Sequence, residues 1–164
     1  MEKDTRVIVG NDTETISYSD KRSKYYWFVG FWSIKARGDD TEQAYSLLQG
    51  IIPQGIETPL HIHSKEEEAF FIQEGVFLFK YGNKMISTNP GDYLYLKRGI
   101  PHKFKNIGNT TGKLTVILSP PGLEKLFEKG TLVQDISSFD FKNTHNHSKS
   151  LGPSDRLKTW KNMA

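Results

Sequence analysis

The chain has 164 residues, with 36% hydrophobic, 12% aromatic and 25% charged side chains. This is the profile of one soluble globular domain with chain to spare, and it excludes a disordered or collagen-like polymer. Lysine and arginine (22) exceed aspartate and glutamate (19) by three, with no basic block or stripe, so nucleic acid is not an expected partner.

Cysteine is absent, which removes disulfides, thiolate metal sites and cysteine nucleophiles. The acidic start Met1-Glu2-Lys3-Asp4 leads into no continuous apolar run. Neither a secretory signal nor a membrane span is therefore expected, no membrane partner is expected, and a cytoplasmic location is the default.

From about Arg6 to Leu118 the apolar residues fall in short runs rich in Val, Ile, Phe, Tyr and Trp, separated by Gly, Pro, Asn or Asp. This is strand-and-turn spacing. It predicts strands at Arg6 to Val9, Thr13 to Tyr18, Tyr25 to Lys35, Tyr45 to Ile52, Leu60 to His63 and Ala69 to Gln73. Further strands are predicted at Val76 to Tyr81, Lys84 to Thr88, Tyr93 to Lys97, His102 to Asn106 and Lys113 to Leu118. Gly82-Asn83 reads as a hairpin turn, since both residues tolerate positive φ. So many short strands suggest an all-β barrel or jelly roll.

A short helix is predicted after the last strand. Ser119-Pro120-Pro121 offers its start, Leu123, Leu126 and Phe127 recur at helical spacing, and Gly130 ends it. The chain then turns polar, with a short amphipathic stretch from Ser154 to Met163. The expected organisation is one barrel over residues 1–130, with N-terminal strands and a covering helix, and a polar appendage over residues 131–164.

Three of the five histidines lie within 42 residues. His61 and His63 are two apart, so on a strand both imidazoles project from one face, which in a barrel can be the interior. Ser64-Lys65-Glu66-Glu67 is polar enough to turn the chain, and a following strand can bring Glu68 back toward the histidines with Phe70 and Ile72 on its side. His102 shares a face with Phe104 and Asn106, while Lys103 and Lys105 point the other way, which makes His102 interior. Three neutral imidazoles and one carboxylate suit one divalent transition metal: Fe, Mn, Ni, Co, Cu or Zn. In an octahedral shell four such ligands leave two positions open, which suggests catalysis.

The stretch from Gly55 to Gly75 reads Gly, five residues, His61, one residue, His63, four residues, Glu68, six residues, Gly75. It resembles the first motif of the cupin superfamily without a deviation in spacing. Gly91, Gly99, His102 and Asn106 fall in register with the second cupin motif, in which Lys97 occupies a position expected to be proline. The resemblance implies a double-stranded β-helix, the cupin jelly-roll barrel, with His61, His63, Glu68 and His102 as metal ligands. A wider similarity runs from Tyr26 to about Glu128. It is carried by Trp27-Phe28-Val29-Gly30, Gly38-Asp39-Asp40-Thr41, Glu67-Glu68-Ala69-Phe70-Phe71 and Ser119-Pro120-Pro121-Gly122-Leu123-Glu124. These segments look like small single-domain bacterial cupins described as quercetin 2,3-dioxygenase-like.

The implied function is a metal-dependent dioxygenase acting on a flavonol or other enediol or aromatic small molecule, with Glu68 as both ligand and proton acceptor. Phe70 and Phe104 are candidates for the substrate pocket. The alternatives are a metal-dependent isomerase or epimerase, and a binding cupin without catalysis. Glu67 is the rival of Glu68 as ligand, and Glu66 reads as part of a charged loop. His145 and His147 repeat the His-x-His spacing but lie in the polar tail, where solvated side chains are expected. Trp27, Phe31 and Trp32 read as core or dimer contacts, and a homodimer is expected.

Overall fold

A computed structural model describes residues 24–139 in full, together with the backbone of two strands before them. Those two, β1 (Arg6–Gly10) and β2 (Thr13–Ser17), form an antiparallel hairpin. The other strands are β3 (Tyr25–Trp27), β4 (Phe31–Ala36), β5 (Ser46–Ile52), β6 (Glu67–Glu74), β7 (Phe77–Tyr81), β8 (Lys84–Thr88), β9 (Tyr93–Leu96), β10 (His102–Asn106), β11 (Gly112–Ser119) and β12 (Thr131–Val133). A single-turn helix, α1 (Glu124–Phe127), lies between the last two. A seven-stranded sheet runs in the order β12-β3-β4-β5-β11-β6-β9, and a three-stranded sheet in the order β10-β7-β8.

Period-two alternation builds the core. Along β6, Glu68, Phe70 and Ile72 are buried while Phe71 is exposed, and along β11 Leu114, Val116 and Leu118 face inward. These side chains join Phe77, Phe79 and Phe104 of the smaller sheet in one buried cluster. All pairings are antiparallel. The molecule is the all-β jelly-roll barrel that the spacing predicts. The Gly82-Asn83 hairpin is present between β7 and β8, although only Gly82 takes a positive φ there.

Two predicted strands are corrected. The run from Tyr25 to Lys35 is broken into β3 and β4 by a turn in which Val29 (φ 52°) and Gly30 (φ 117°) both leave the extended region. A side chain on Gly30 would place its Cβ 2.5 Å from the Ile52 methyl, so the turn closes tightly on the barrel. The run from Leu60 to His63 is not a regular strand. Residues 55–61 follow β10 through single bridges, Glu57 with Lys105 and His61 with His102. Pro59 has no N–H to give to a continuous ladder, which accounts for the interruption.

The helix caps one end of the barrel. Phe127 packs on Trp32 and Phe28, with ring centroids 4.8 and 5.8 Å apart. The buried Glu124 carboxylate holds α1 in place, accepting from Gly122 N–H at 2.5 Å and Gly38 N–H at 3.3 Å. Beyond Gly130 the chain re-enters the sheet as β12 beside β3, and Phe139 packs on Trp27 and Phe31 at 5.3 Å from each. Phe31 and Trp32 are buried within this one chain. His145, His147 and the stretch from Ser154 to Met163 lie outside the described residues. Among the described residues no helix is long and apolar enough to cross a membrane.

Two motif positions acquire physical reasons. Asn106, fully buried, donates to the carbonyls of Ile52 (2.8 Å) and Thr110 (2.9 Å) and accepts from Gly108 N–H (3.0 Å), tying three loops together. Lys97, where the motif expects proline, uses the N–H that proline lacks to donate to the Tyr81 hydroxyl at 3.1 Å. Because Asn106→Ala leaves the buried Ile52 carbonyl without this donor and removes two part-buried bonds, it is expected to destabilise the fold by about 2 kcal/mol, read as a lower urea midpoint at unchanged m-value.

Candidate metal centre

Neighbouring backbone hydrogen bonds fix the four predicted ligands. His102 opens β10 and Glu68 is the second residue of β6. His61 sits opposite His102 and exchanges backbone hydrogen bonds with it in both directions, at 3.0 and 2.9 Å. The His63 carbonyl accepts from Gly99 N–H at 2.7 Å. Gly99 makes that approach with a φ of 78°, which only glycine adopts at little cost. The ring centroids then lie 4.4 Å apart for His61 and His102, 4.8 Å for His61 and His63, and 5.2 Å for His63 and His102. One donor atom from each histidine and one carboxylate oxygen of Glu68 all fall within 4.8 Å of one another.

The imidazoles are oriented as well as gathered. His61 Nδ1 lies 2.7 Å from the Pro59 carbonyl, and His102 Nδ1 lies 2.8 Å from the Ile100 carbonyl. A carbonyl only accepts, so each Nδ1 carries the proton and each Nε2 presents its lone pair. This is the arrangement that orients histidines toward a metal. His102 Nε2 is 2.8 Å from Glu68 Oε2, and His63 Nε2 is 3.5 Å from Glu68 Oε1. At 2.8 Å the first pair is close enough for an ion pair, yet Glu68 Oε2 and His102 Nε2 are not aligned as hydrogen-bond donor and acceptor. Two acceptors that close, both buried, call for a proton or a cation between them, and the donor set of three imidazoles and one carboxylate fits a divalent transition metal.

By themselves, these groups ionise as a buried cluster in which His102 and Glu68 stabilise each other's charged forms. Burial and the neighbouring His102 lower the His61 pKa to about 4, so its ring is neutral at physiological pH. Burial alone would push the Glu68 carboxyl up, but its contacts with His102 and His63 outweigh burial and hold it below the usual carboxylate range. Burial pulls His102 down, and the Glu68 carboxylate more than compensates, so His102 is raised.

Parity separates the three glutamates. Glu67 faces outward on β6, where its carboxylate meets the Tyr95 hydroxyl and, at 3.3 Å, the Arg98 guanidinium. Glu66, read from the sequence as part of a solvated loop, is instead buried, because it keeps the inward parity of Glu68, Phe70 and Ile72.

The four ligand candidates line a cavity whose other walls are almost wholly apolar. Phe70 and Phe104 are in its wall, as are Trp32, Leu48, Val116 and Leu118. Phe28, Val29, Leu123 and Phe127 close it from the turn and the helix. The interior is small, with about 30 Å³ in which the centre of a water-sized molecule can move, room for roughly two waters. Sequence reasoning missed Thr58, the one further polar residue in the wall. Its hydroxyl accepts from Phe104 N–H at 3.0 Å. Its place three residues before His61 was the available signal.

Residues 47–118, which hold all four of these side chains, match the family model described as Cupin domain. The match and the fold together support a place in the cupin superfamily. An uncharacterized protein of Methanocaldococcus jannaschii is 38% identical over 76 residues, which cover 46% of this chain and 61% of that protein. The match thus spans less than two thirds of that relative. Among solved structures, the cupin domain of Cnp3 from Schizosaccharomyces pombe aligns with a TM-score of 0.59 at 16% identity, over 84% of this chain and 100% of that one. An RmlC-like cupin from Shewanella frigidimarina aligns with a TM-score of 0.58 at 14% identity, over 66% and 93%. At these identities the likeness concerns the cupin fold alone.

Loaded with a divalent first-row metal and desalted, the wild-type chain is expected to retain about one ion per chain. His61→Ala and His102→Ala are expected to lower that content at least about tenfold while shifting the urea midpoint little, since the core is built elsewhere. Glu67→Gln is expected to leave the content unchanged. Elemental analysis with parallel denaturation checks all three, and equal metal in wild type and both histidine variants would refute the ligand assignment.

Proposed function

We propose that this cupin holds one divalent transition metal on His61, His63, Glu68 and His102. We further propose that it is an oxygenase of the quercetinase-like kind, acting on a compact enediol- or catechol-type small molecule with dioxygen as co-substrate. The observation that carries the reading is the convergence of three imidazoles and one carboxylate at the end of an otherwise apolar cavity.

Charge favours this substrate class. No lysine or arginine is among the cavity-lining residues. A divalent ion and the Glu68 carboxylate together leave one positive charge, which a singly deprotonated enediol neutralises. A phosphate or dicarboxylate would carry surplus buried negative charge with no partner. When bound, the metal supplies Lewis acidity toward the substrate oxygens and access to one-electron chemistry with dioxygen. Glu68 has two oxygens directed at different histidines, so one can face the ion while the other accepts the hydroxyl proton of the entering substrate. The aromatic walls at Phe70 and Phe104 pack the apolar body and exclude water.

Epimerisation is less well served, because inverting a carbon requires acid–base groups on both of its faces. Among the described residues, Thr58 is the one side chain in the cavity wall, besides the four ligand candidates and the Trp32 indole, that carries a polar atom. Catechols and flavonols both exceed an interior with room for roughly two waters, so either enters only if the helix or turn moves, and the smaller movement that a compact enediol or catechol needs places it ahead of a three-ring flavonol.

An oxygen electrode tests the reading. Protein loaded in turn with Fe, Mn, Co, Ni, Cu and Zn is given catechols, small enediols and flavonols. Metal-dependent oxygen uptake is expected with at least one redox-active ion, and Glu68→Gln is expected to reduce it by at least about 100-fold. No uptake with any ion and any substrate would refute the oxygenase.

A further inference from the structure

The turn between β3 and β4 carries a conformation that its sequence does not favour. Three non-glycine residues in the described chain have positive φ: Val29, Glu42 and Gln43. Glu42 and Gln43 are exposed, and neither lines the cavity. Val29 does line it, and it is β-branched. A branched Cβ in the left-handed region crowds the following carbonyl, so glycine or asparagine would serve a turn here better.

The surroundings hold Val29 in that state. Phe28 N–H donates to the Gly30 carbonyl at 2.8 Å, and the Trp32 indole N–H donates to the Phe28 carbonyl at 3.0 Å. Gly30 is locked against Ile52. The turn is therefore fixed on both sides of a residue whose backbone is strained. Strain that the surroundings enforce at a cavity wall points to a use for the side chain there. The same cavity holds the four ligand candidates, so a ligand on them shares its walls with Val29.

We infer that Val29 is a specificity-determining residue, whose isopropyl group limits the cavity to compact ligands that present a vicinal oxygen pair to the metal. The inference rests on the proposed function and adds to it the size of the ligand and the residue that sets it. A few carbons are all that an apolar wall can discriminate, and such a wall separates ligands by about tenfold to a hundredfold.

The test uses the full chain loaded with Co(II) under anaerobic conditions, with the visible cobalt bands reporting the binding of two probes, catechol and 4-tert-butylcatechol. The wild type is expected to bind catechol at least about tenfold more tightly. Val29→Gly keeps the backbone and removes the wall, and is expected to bring the ratio below about threefold by improving the bulky probe. Val29→Asn suits the same φ with a side chain of similar size. It is expected to keep the ratio while raising the urea midpoint, which separates the wall from the strain. A ratio that Val29→Gly leaves unmoved, or that Val29→Asn collapses equally, overturns the inference and leaves the proposed function standing. No spectral response to either catechol in the wild type overturns the substrate class and this inference with it.

Discussion

Four electron-rich groups held against one another in a nearly dry cavity set the terms for everything else in this molecule. Lone pairs on neighbouring imidazoles and a carboxylate repel unless a positive charge lies among them, and burial magnifies that repulsion. The protein maintains the arrangement through its backbone. The Pro59 and Ile100 carbonyls take the Nδ1 protons of His61 and His102, and β10 registers His61 opposite His102. The hydrogen bonds of Asn106 keep the loop from Gly55 to His61 in place at its other end. So many backbone contacts spent on gathering these side chains fit a fold that holds a cation among them.

The walls complete that logic. Phe70 packs edge to face on Phe79 and Phe104, and Phe79 lies tilted against Phe104, at centroid distances of 5.1 to 5.8 Å, so the cavity floor is part of the barrel core and inherits its rigidity. The roof is different in kind. It consists of a four-residue helix and a three-residue turn, anchored by Leu123, Leu126 and Phe127 in the core and by polar contacts of Glu124 with Gly38, Glu128 with Arg37 at 2.5 Å, and Trp32 with Phe28.

Much of the site was legible because it depends on local spacing. The two-residue interval between His61 and His63, the alternation that separates His102 from Lys103, and the parity of Glu68 with Phe70 and Ile72 are properties of short segments. Glu67 and Glu68 are distinguished by that parity, and Tyr95 and Arg98 confirm the outward face of Glu67. What stayed hidden depends on contacts far along the chain. Val29 looks like an ordinary strand residue until Trp32 and Ile52 close the turn around it. Glu66 looks solvated until β6 begins two residues earlier than its apolar run suggests, and β12 has two apolar residues in a polar stretch, visible only against the open edge of β3. Pro59 was in plain view, and its missing N–H explains why the histidine segment follows β10 by single bridges and not by a ladder.

The central claim, that these imidazoles and one carboxylate surround a single ion, is most directly tested by X-ray absorption at the metal K-edge of the reconstituted protein. The account predicts a first shell of nitrogen and oxygen donors only, with the outer-shell scattering of three imidazole rings and one carboxylate, and loss of one ring's contribution in His61→Ala. A shell fitted by water oxygens with fewer than two imidazoles would contradict it.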